Sequence, residues 1–167
     1  MSHDLNAVAQ DCLQTLRQLN IPTGMIREFY ADSRSRRRWG VCKKEPDGSF
    51  RIGISVRLLE NGAPLQSLRE TIFHELLHTA PGCMNHAGRW KQYAALLNKT
   101  MGLSIRTSTG AEALGVKPDP RIRYRFRCQG CGAEQIRYRA CDFTRHPERY
   151  RCGRCGGHFR AIPRDLP

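Results

Sequence analysis

The sequence has no long hydrophobic run and no recognisable export signal. Its apolar stretches are only a few residues long, as at residues 94–97, and none approaches the roughly 20 apolar residues of a membrane-spanning helix. The first residues lack a basic segment followed by an apolar core, so we expect no signal peptide. These absences predict a cytoplasmic protein without a membrane partner, associated with the nucleoid if the source is bacterial.

Acidic residues are also few. The 167 residues contain 28 Lys and Arg against 15 Asp and Glu, a formal net charge of +13, and 23 of the basic residues are Arg. The excess is greatest over residues 117–167, where 13 basic and 5 acidic residues give +8. Arginine-rich segments are typical of proteins that bind polyanions, because a guanidinium group can bind phosphate bidentately. We therefore expect a nucleic-acid partner, with a merely solubilising surface as the alternative.

Hydrophobic periodicity predicts an α+β fold. Apolar residues recur at helical spacing over three segments and alternate at strand spacing around an Asp47-Gly48 turn, which indicates a hairpin at about 38–57. A further short strand is predicted at 25–30. The predicted helices span about 3–20, 67–79 and 87–101.

Residues 74–78 read His-Glu-Leu-Leu-His, an HExxH motif on one of the predicted helices. Because four residues advance an α-helix by about 400°, His74 and His78 lie nearly on one face and can bind one metal ion. Zinc suits this pair, and Glu75 beside it can act as general base toward a zinc-bound water. The motif therefore predicts a catalytic zinc site, with two surface histidines as the alternative.

A catalytic zinc usually needs a third protein ligand and an open position. The Pro81-Gly82 pair ends the predicted helix and lets the chain turn back, and His86 follows just before the next helix. Cys83 is the rival third ligand. We favour His86, because the seven residues between it and His78 leave enough chain to bring its imidazole to the metal.

Eight cysteines are many for a cytoplasmic chain of this length. Four of them form two CxxC pairs separated by 20 residues, a spacing typical of a zinc ribbon with a closed tetrahedral site. Such a site has no open position, so we expect a structural zinc. The predicted ligands are Cys128, Cys131, Cys152 and Cys155.

Arginines alternate with apolar residues directly before the first CxxC pair. Because successive side chains of a strand face opposite ways, one face of this strand would carry only arginines. Arg137 and Arg139 flank Tyr138 on the predicted partner strand and could extend a phosphate-binding face. A solvated strand face is the alternative. We call the four alternating residues the arginine ladder: Arg121, Arg123, Arg125 and Arg127.

Taken together, these motifs resemble those of the SprT-like metalloproteases, the group that includes the eukaryotic Spartan proteases. The resemblance rests on the segment Arg38-Trp39-Gly40 with Cys42, on the HExxH motif at 74–78, on His86 and Trp90, and on the end of the ribbon at 150–157. It covers most of the chain.

The resemblance implies a zincin-type protease domain with a short mixed sheet, zinc held by His74, His78 and His86, and Glu75 as catalytic base. It also implies a function in degrading proteins that are bound or crosslinked to DNA. We therefore expect a monomeric zinc peptidase with a protein substrate, a DNA partner and two zinc ions. A non-enzymatic, zinc-containing DNA-binding or regulatory protein is the alternative. The expected division is a protease domain at 1–105, a linker at 106–120 and a zinc ribbon at 121–162.

Overall fold

The computed structural model describes residues 3–35, 38–60, 62–110, 112–116 and 122–163. The chain forms two compact units, Met1–Lys117 and Pro118–Pro167, and both combine helices with a small sheet. The predicted α+β class is thereby confirmed. No described helix is both long enough and apolar enough to cross a membrane.

The first unit contains the predicted helices and the predicted hairpin. Two short 3-10 helices, Val56–Leu58 and Glu112–Leu114, complete it. Its main elements are α1 (Leu5–Gln18), β1 (Ile26–Asp32), β2 (Gly40–Lys44), β3 (Phe50–Ser55), α2 (Leu65–Leu77) and α3 (Gly88–Met101).

The sheet of the first unit is mixed and has the strand order β1-β3-β2. β3 pairs in parallel with β1 and antiparallel with β2, so β2 is an edge strand. Ile52 and Ile54 of β3 are fully buried, as the alternating pattern predicted. The core continues into α2, where Leu68, Ile72 and Leu76 form a fully buried stripe. This stripe fixes which side of α2 faces the sheet.

The segment after α3 differs from the predicted linker at 106–120. Ile105, Leu114 and Val116 are buried in the core of the first unit, and Ser67 Oγ donates a hydrogen bond to the Leu114 carbonyl at 2.8 Å. The Ser, Thr and Gly residues of the segment are typical of a linker, but Leu114 and Val116 within it pack against the core. Residues 117–120 lie outside the described part of the chain.

The second unit is built on a three-stranded antiparallel sheet with the order β5-β4-β6. Its small core is aromatic: the ring of Phe143 lies 4.7 Å from Phe126 and 5.3 Å from Phe159. The elements are β4 (Tyr124–Cys128), β5 (Glu134–Arg137), α4 (Asp142–Arg145) and β6 (Phe159–Ile162).

We predict that Leu68→Ala lowers the free energy of unfolding of the first unit by about 2–5 kcal/mol, because it leaves a cavity in a fully buried position. The matched control is Leu65→Ala on the same helix, where the side chain is 45% exposed and the expected loss is below about 1 kcal/mol. Urea unfolding of both variants measures the difference. Equal losses of unfolding free energy in the two variants would show that the buried stripe does not contribute more to stability than an exposed position of the same helix.

Candidate functional site

The first unit brings three histidines together at the end of α2. His74 and His78 lie one turn apart, and His86 returns from the loop before α3. Its Nε2 atom is 3.0 Å from Nε2 of His74 and 3.1 Å from Nε2 of His78. The return begins at Gly82, whose φ of +75° lies in the left-handed region that favours glycine. The three ring nitrogens therefore face a common centre and form a candidate metal site.

Backbone carbonyls hold the other ring nitrogen of both helical histidines. His74 Nδ1 donates to the Arg106 carbonyl at 2.9 Å, and His78 Nδ1 donates to the Cys83 carbonyl at 2.8 Å. These bonds place the proton on Nδ1 and leave the lone pair on Nε2. Burial, reinforced by the two neighbouring histidines, lowers the pKa of His74 to about 4. That ring is therefore neutral at pH 7, as a metal ligand must be.

Trp90 of α3 forms the floor beneath the three histidines. Its side chain is only 1% exposed. The centroid of its ring lies 4.9 Å from that of His74, 5.8 Å from His78 and 4.6 Å from His86. A single buried indole therefore limits the rotation of all three imidazoles.

Glu75 lies beside this cluster in a pocket that β2 makes possible. Its side chain is buried, and burial raises its pKa to about 7, although Arg38 and the backbone N–H of Cys42 oppose the shift. A Cβ atom at position 40 would lie 2.5 Å from Oε1 of Glu75. Gly40 is thus required by the close approach of the carboxylate to the strand.

A cavity of about 400 Å³ opens over the histidines and Glu75. One wall is the edge strand β2, and the other is the segment 104–109. Trp39 Nε1 donates to the Thr109 carbonyl at 3.1 Å and joins the two walls at one end. The volume is in the range of ligand-binding clefts, and the exposed edge of β2 offers backbone groups to an extended chain.

The second unit gathers the four predicted cysteines. The sulfur atoms of Cys128 and Cys155 are 3.4 Å apart, and those of Cys131 and Cys152 are 3.7 Å apart. A Cβ atom on Gly157 would lie 2.9 Å from Cys128 Sγ, so only glycine fits there. Backbone N–H groups, chiefly that of Cys131, lower the pKa of the Cys128 thiol to about 6. This favours the thiolate that metals bind.

The arginine ladder is only partly a continuous face. Arg125 and Arg127 share one side of β4, and both guanidinium groups donate to the carboxylate of Glu134, at 2.9 and 2.8 Å. Arg160 on β6 lies opposite Arg127 on the same side. Arg123 precedes β4 and donates its backbone N–H to the Arg137 carbonyl. Arg121 lies outside the described residues.

Arg137 and Arg139 do not extend that face as predicted. Arg137 is paired with Tyr124, which alternates with Arg125, so its side chain belongs to the opposite side of the sheet. There its guanidinium lies 4.7 Å from the centroid of the Phe143 ring. Arg139 lies beyond the end of β5 and is exposed. The strand register, which no local pattern in the sequence indicates, separates Arg137 from Arg125 and Arg127.

Sequence reasoning missed the groups that hold the histidines. The Nδ1 protons of the two helical histidines are held by the backbone carbonyls of Arg106 and Cys83. Every residue has a backbone carbonyl, so a pattern of side chains cannot indicate which carbonyls make these contacts. Cys83 was considered for its sulfur, whereas its carbonyl makes the contact. Glu134 carried a readable signal, because it is an isolated acidic residue in a strongly basic segment.

The fold and these side chains define a protein with two candidate metal sites, one of three histidines on an HExxH helix and one of four cysteines. The chain is 31% identical over 103 residues to a curated protein of Streptococcus gordonii named "Protein SprT-like", over 60% of this chain and 62% of that relative. It thus spans less than two thirds of the relative's length. This similarity confirms the resemblance to the SprT-like family. No protein-family profile matches the chain, and no solved structure matches it.

We predict that His86→Ala lowers the metal content of the purified chain from two ions to one, because it removes one of three converging nitrogens. The matched control is Cys83→Ala, which should keep two ions, since it leaves the backbone carbonyl in place. Elemental analysis after dialysis measures both. Loss of a metal ion from the Cys83 variant, with His86→Ala unaffected, would reverse the assignment of the third ligand.

Proposed function

We propose that the first unit is a zincin-type, zinc-dependent peptidase. The observation that carries this proposal is the buried carboxylate of Glu75, which lines the same cavity as the three converging imidazoles. Backbone carbonyls hold the Nδ1 protons of two of these imidazoles, those of His74 and His78. A metal site with a purely structural function would have no use for a buried, otherwise costly carboxylate next to its ligands. The non-enzymatic alternative leaves Glu75 unexplained.

The donor set fits zinc. A tetrahedral zinc ion with Zn–N bonds of about 2.0–2.1 Å holds its nitrogen ligands roughly 3.3–3.4 Å apart. The two measured distances between ring nitrogens, 3.0 and 3.1 Å, are close to this spacing. The four thiols fit a second, structural zinc, since Zn–S bonds of about 2.3 Å imply sulfur separations of roughly 3.8 Å, against 3.4 and 3.7 Å here.

When bound, zinc supplies Lewis acidity that polarises a carbonyl group and acidifies water. The chain's own residues supply the proton transfer and the positioning. Glu75 acts as general base, because its carboxylate is buried at the cavity that the three histidines also line. Gly40 lets the carboxylate lie against β2. Trp90 and the two carbonyls keep the three imidazoles in place.

The cleft favours an extended peptide as substrate. β2 is an edge strand, so the N–H and C=O groups on its outer side, except the Cys42 N–H that faces Glu75, can pair with a chain that adds to the sheet as a further strand. The strand passes directly over Glu75, because Gly40 contacts its carboxylate. A peptide aligned along β2 would therefore bring one of its carbonyls to the catalytic residues.

We further propose that the second unit binds nucleic acid, so that the substrate is protein associated with or crosslinked to DNA. The support is the +8 charge over residues 117–167, the paired guanidinium groups of Arg125 and Arg127, and the SprT-like resemblance. In the structure, the carboxylate of Glu134 bridges these two arginines. A phosphate group could occupy the same position, because a carboxylate and a phosphate both accept two N–H donors.

We predict that Glu75→Gln retains the metal content of the chain and lowers hydrolysis of an unfolded protein by about 10²–10⁴-fold, the usual contribution of a general base. The amide keeps the shape of the side chain but cannot accept the proton. Glu60→Gln, on the exposed surface, is the matched control and should retain full activity. Proteolysis is measured with and without DNA, and wild-type activity in the Glu75→Gln variant would exclude Glu75 as the base.

We predict that Glu134→Gln tightens binding to duplex DNA roughly three- to tenfold at 0.1 M salt and steepens its salt dependence, since each added phosphate contact contributes about 0.9 to the log–log slope. The change removes the negative charge that Arg125 and Arg127 share in Glu134, so that phosphate competes better for both guanidinium groups. Glu148→Gln, in the same unit, adds the same charge without releasing them.

Fluorescence anisotropy titrations over a range of salt concentrations compare the two variants. An equal gain in both would mean that net charge alone controls affinity. No gain in either would mean that these arginines do not contact phosphate, and the DNA-associated part of the proposal would be dropped.

A further inference from the structure

We propose that Asn98 is a positioning residue for His74 and acts through the backbone of residues 105 and 106. Asn98 lies on α3 and does not belong to the histidine cluster. The inference rests on the proposed metal site, because its effect is the orientation of one imidazole in that site. It assigns a function to a polar, half-buried side chain that the catalytic chemistry itself does not use.

The amide of Asn98 makes two hydrogen bonds to the backbone of one residue. Its Oδ1 atom accepts from the Ile105 N–H at 2.7 Å, and its Nδ2 atom donates to the Ile105 carbonyl at 3.1 Å. A single side chain thus pairs with Ile105 as a neighbouring strand would. The next carbonyl along the chain, that of Arg106, accepts the Nδ1 proton of His74 at 2.9 Å. Asn98 therefore fixes the residue directly before the group that orients the ligand.

A second tether comes from the helix that carries His74. Oε1 of Glu70 accepts from the Ser104 N–H at 2.8 Å, and Glu70 lies one helical turn before His74 on α2. Residues 104 and 105 are thus held from α2 and from α3 at the same time. Together, these hydrogen bonds fix the position of the Arg106 carbonyl relative to the imidazole ring of His74.

The segment needs these side chains because its own backbone provides little support. Within the described residues, the stretch 103–109 makes no backbone–backbone hydrogen bond. α3 ends at Met101 and is capped by Gly102, whose φ of +65° reverses the chain. The stretch after it pairs with none of the described strands. Further anchors are the buried side chain of Ile105, the partly buried side chain of Leu103 and the hydrogen bond from Trp39 Nε1 to the Thr109 carbonyl, but none of these is made by residue 106. Apolar burial holds a segment in the core but does not orient a carbonyl, because it is non-directional.

The consequence is a choice of tautomer and of ring orientation. With the Arg106 carbonyl in place, the His74 proton stays on Nδ1 and the Nε2 lone pair points at the common centre. Without it, the proton can occupy either nitrogen and the ring can rotate. Loss of such outer-sphere contacts typically costs 10–100-fold in metal affinity.

The test is the variant Asn98→Leu, which keeps the branched shape and the number of heavy atoms of the side chain and removes both hydrogen bonds. The matched control is Gln92→Leu, at an exposed position on the same helix. Zinc affinity of the histidine site is measured in the full chain by competition with a chelator, and the four-cysteine site provides an internal reference. We expect about a tenfold weaker histidine site in Asn98→Leu, with the control and the cysteine site unchanged.

A second readout separates positioning from a general loss of stability. In the metal-free wild type, the imidazole ¹⁵N signals of His74 should report a proton on Nδ1, whereas Asn98→Leu should show both tautomers in exchange. If Asn98→Leu fails to fold, Asn98→Asp replaces it: a carboxylate still accepts from the Ile105 N–H but cannot donate, so an intermediate loss of affinity is expected.

Zinc affinity within twofold of the wild type would overturn the inference, as would a lower melting temperature with unchanged His74 signals. If the wild-type chain binds no zinc at its histidines, the proposed peptidase function fails first. The two failures are therefore distinguishable: failure of the proposed peptidase function is seen in the wild-type chain, whereas failure of the Asn98 inference is seen only in the variants.

Discussion

The contact between β2 and the carboxylate of Glu75 is the constraint on which the first unit depends. The carboxylate is buried directly beside three imidazoles, and it fits only because position 40 has no side chain. Burial of a carboxylate is costly unless other groups compensate. Here the Cys42 N–H and the charge of Arg38 do so in part. The strand order is consistent with this contact, since β2 lies at the edge of the sheet and packs against α2.

Much of this arrangement could be predicted from local patterns. The stripe of Leu68, Ile72 and Leu76 predicts α2, and the Asp47-Gly48 turn predicts the hairpin. The spacing of the histidines and cysteines indicates the two clusters without any knowledge of tertiary structure, because four residues make one helical turn and two residues make a CxxC knuckle. Each of these patterns spans only a few neighbouring residues, and the geometry of a helix, a turn or a knuckle is enough to relate it to a structure.

The remainder depends on contacts between distant parts of the chain. The parallel pairing of β1 with β3 follows from the packing of whole elements and leaves no local signal. The segment 106–120 was expected to be a linker because its two buried apolar residues, Leu114 and Val116, are too few to form a period. The side of the sheet on which Arg137 lies depends on strand register, and a shift of one residue would reverse it.

The chain contains two tryptophans, and both lie at the same cleft. Trp90 packs beneath the imidazoles, and Trp39 lines the cavity and joins its two walls. Indole emission depends on the polarity of the surroundings and on nearby quenching groups, and protonated imidazoles are effective quenchers. With excitation at wavelengths that tyrosine does not absorb, the fluorescence of this chain therefore originates from Trp39 and Trp90. These two indoles are an intrinsic optical probe of the histidine cluster and its cleft, so that occupancy of the cleft can be followed in solution without a label.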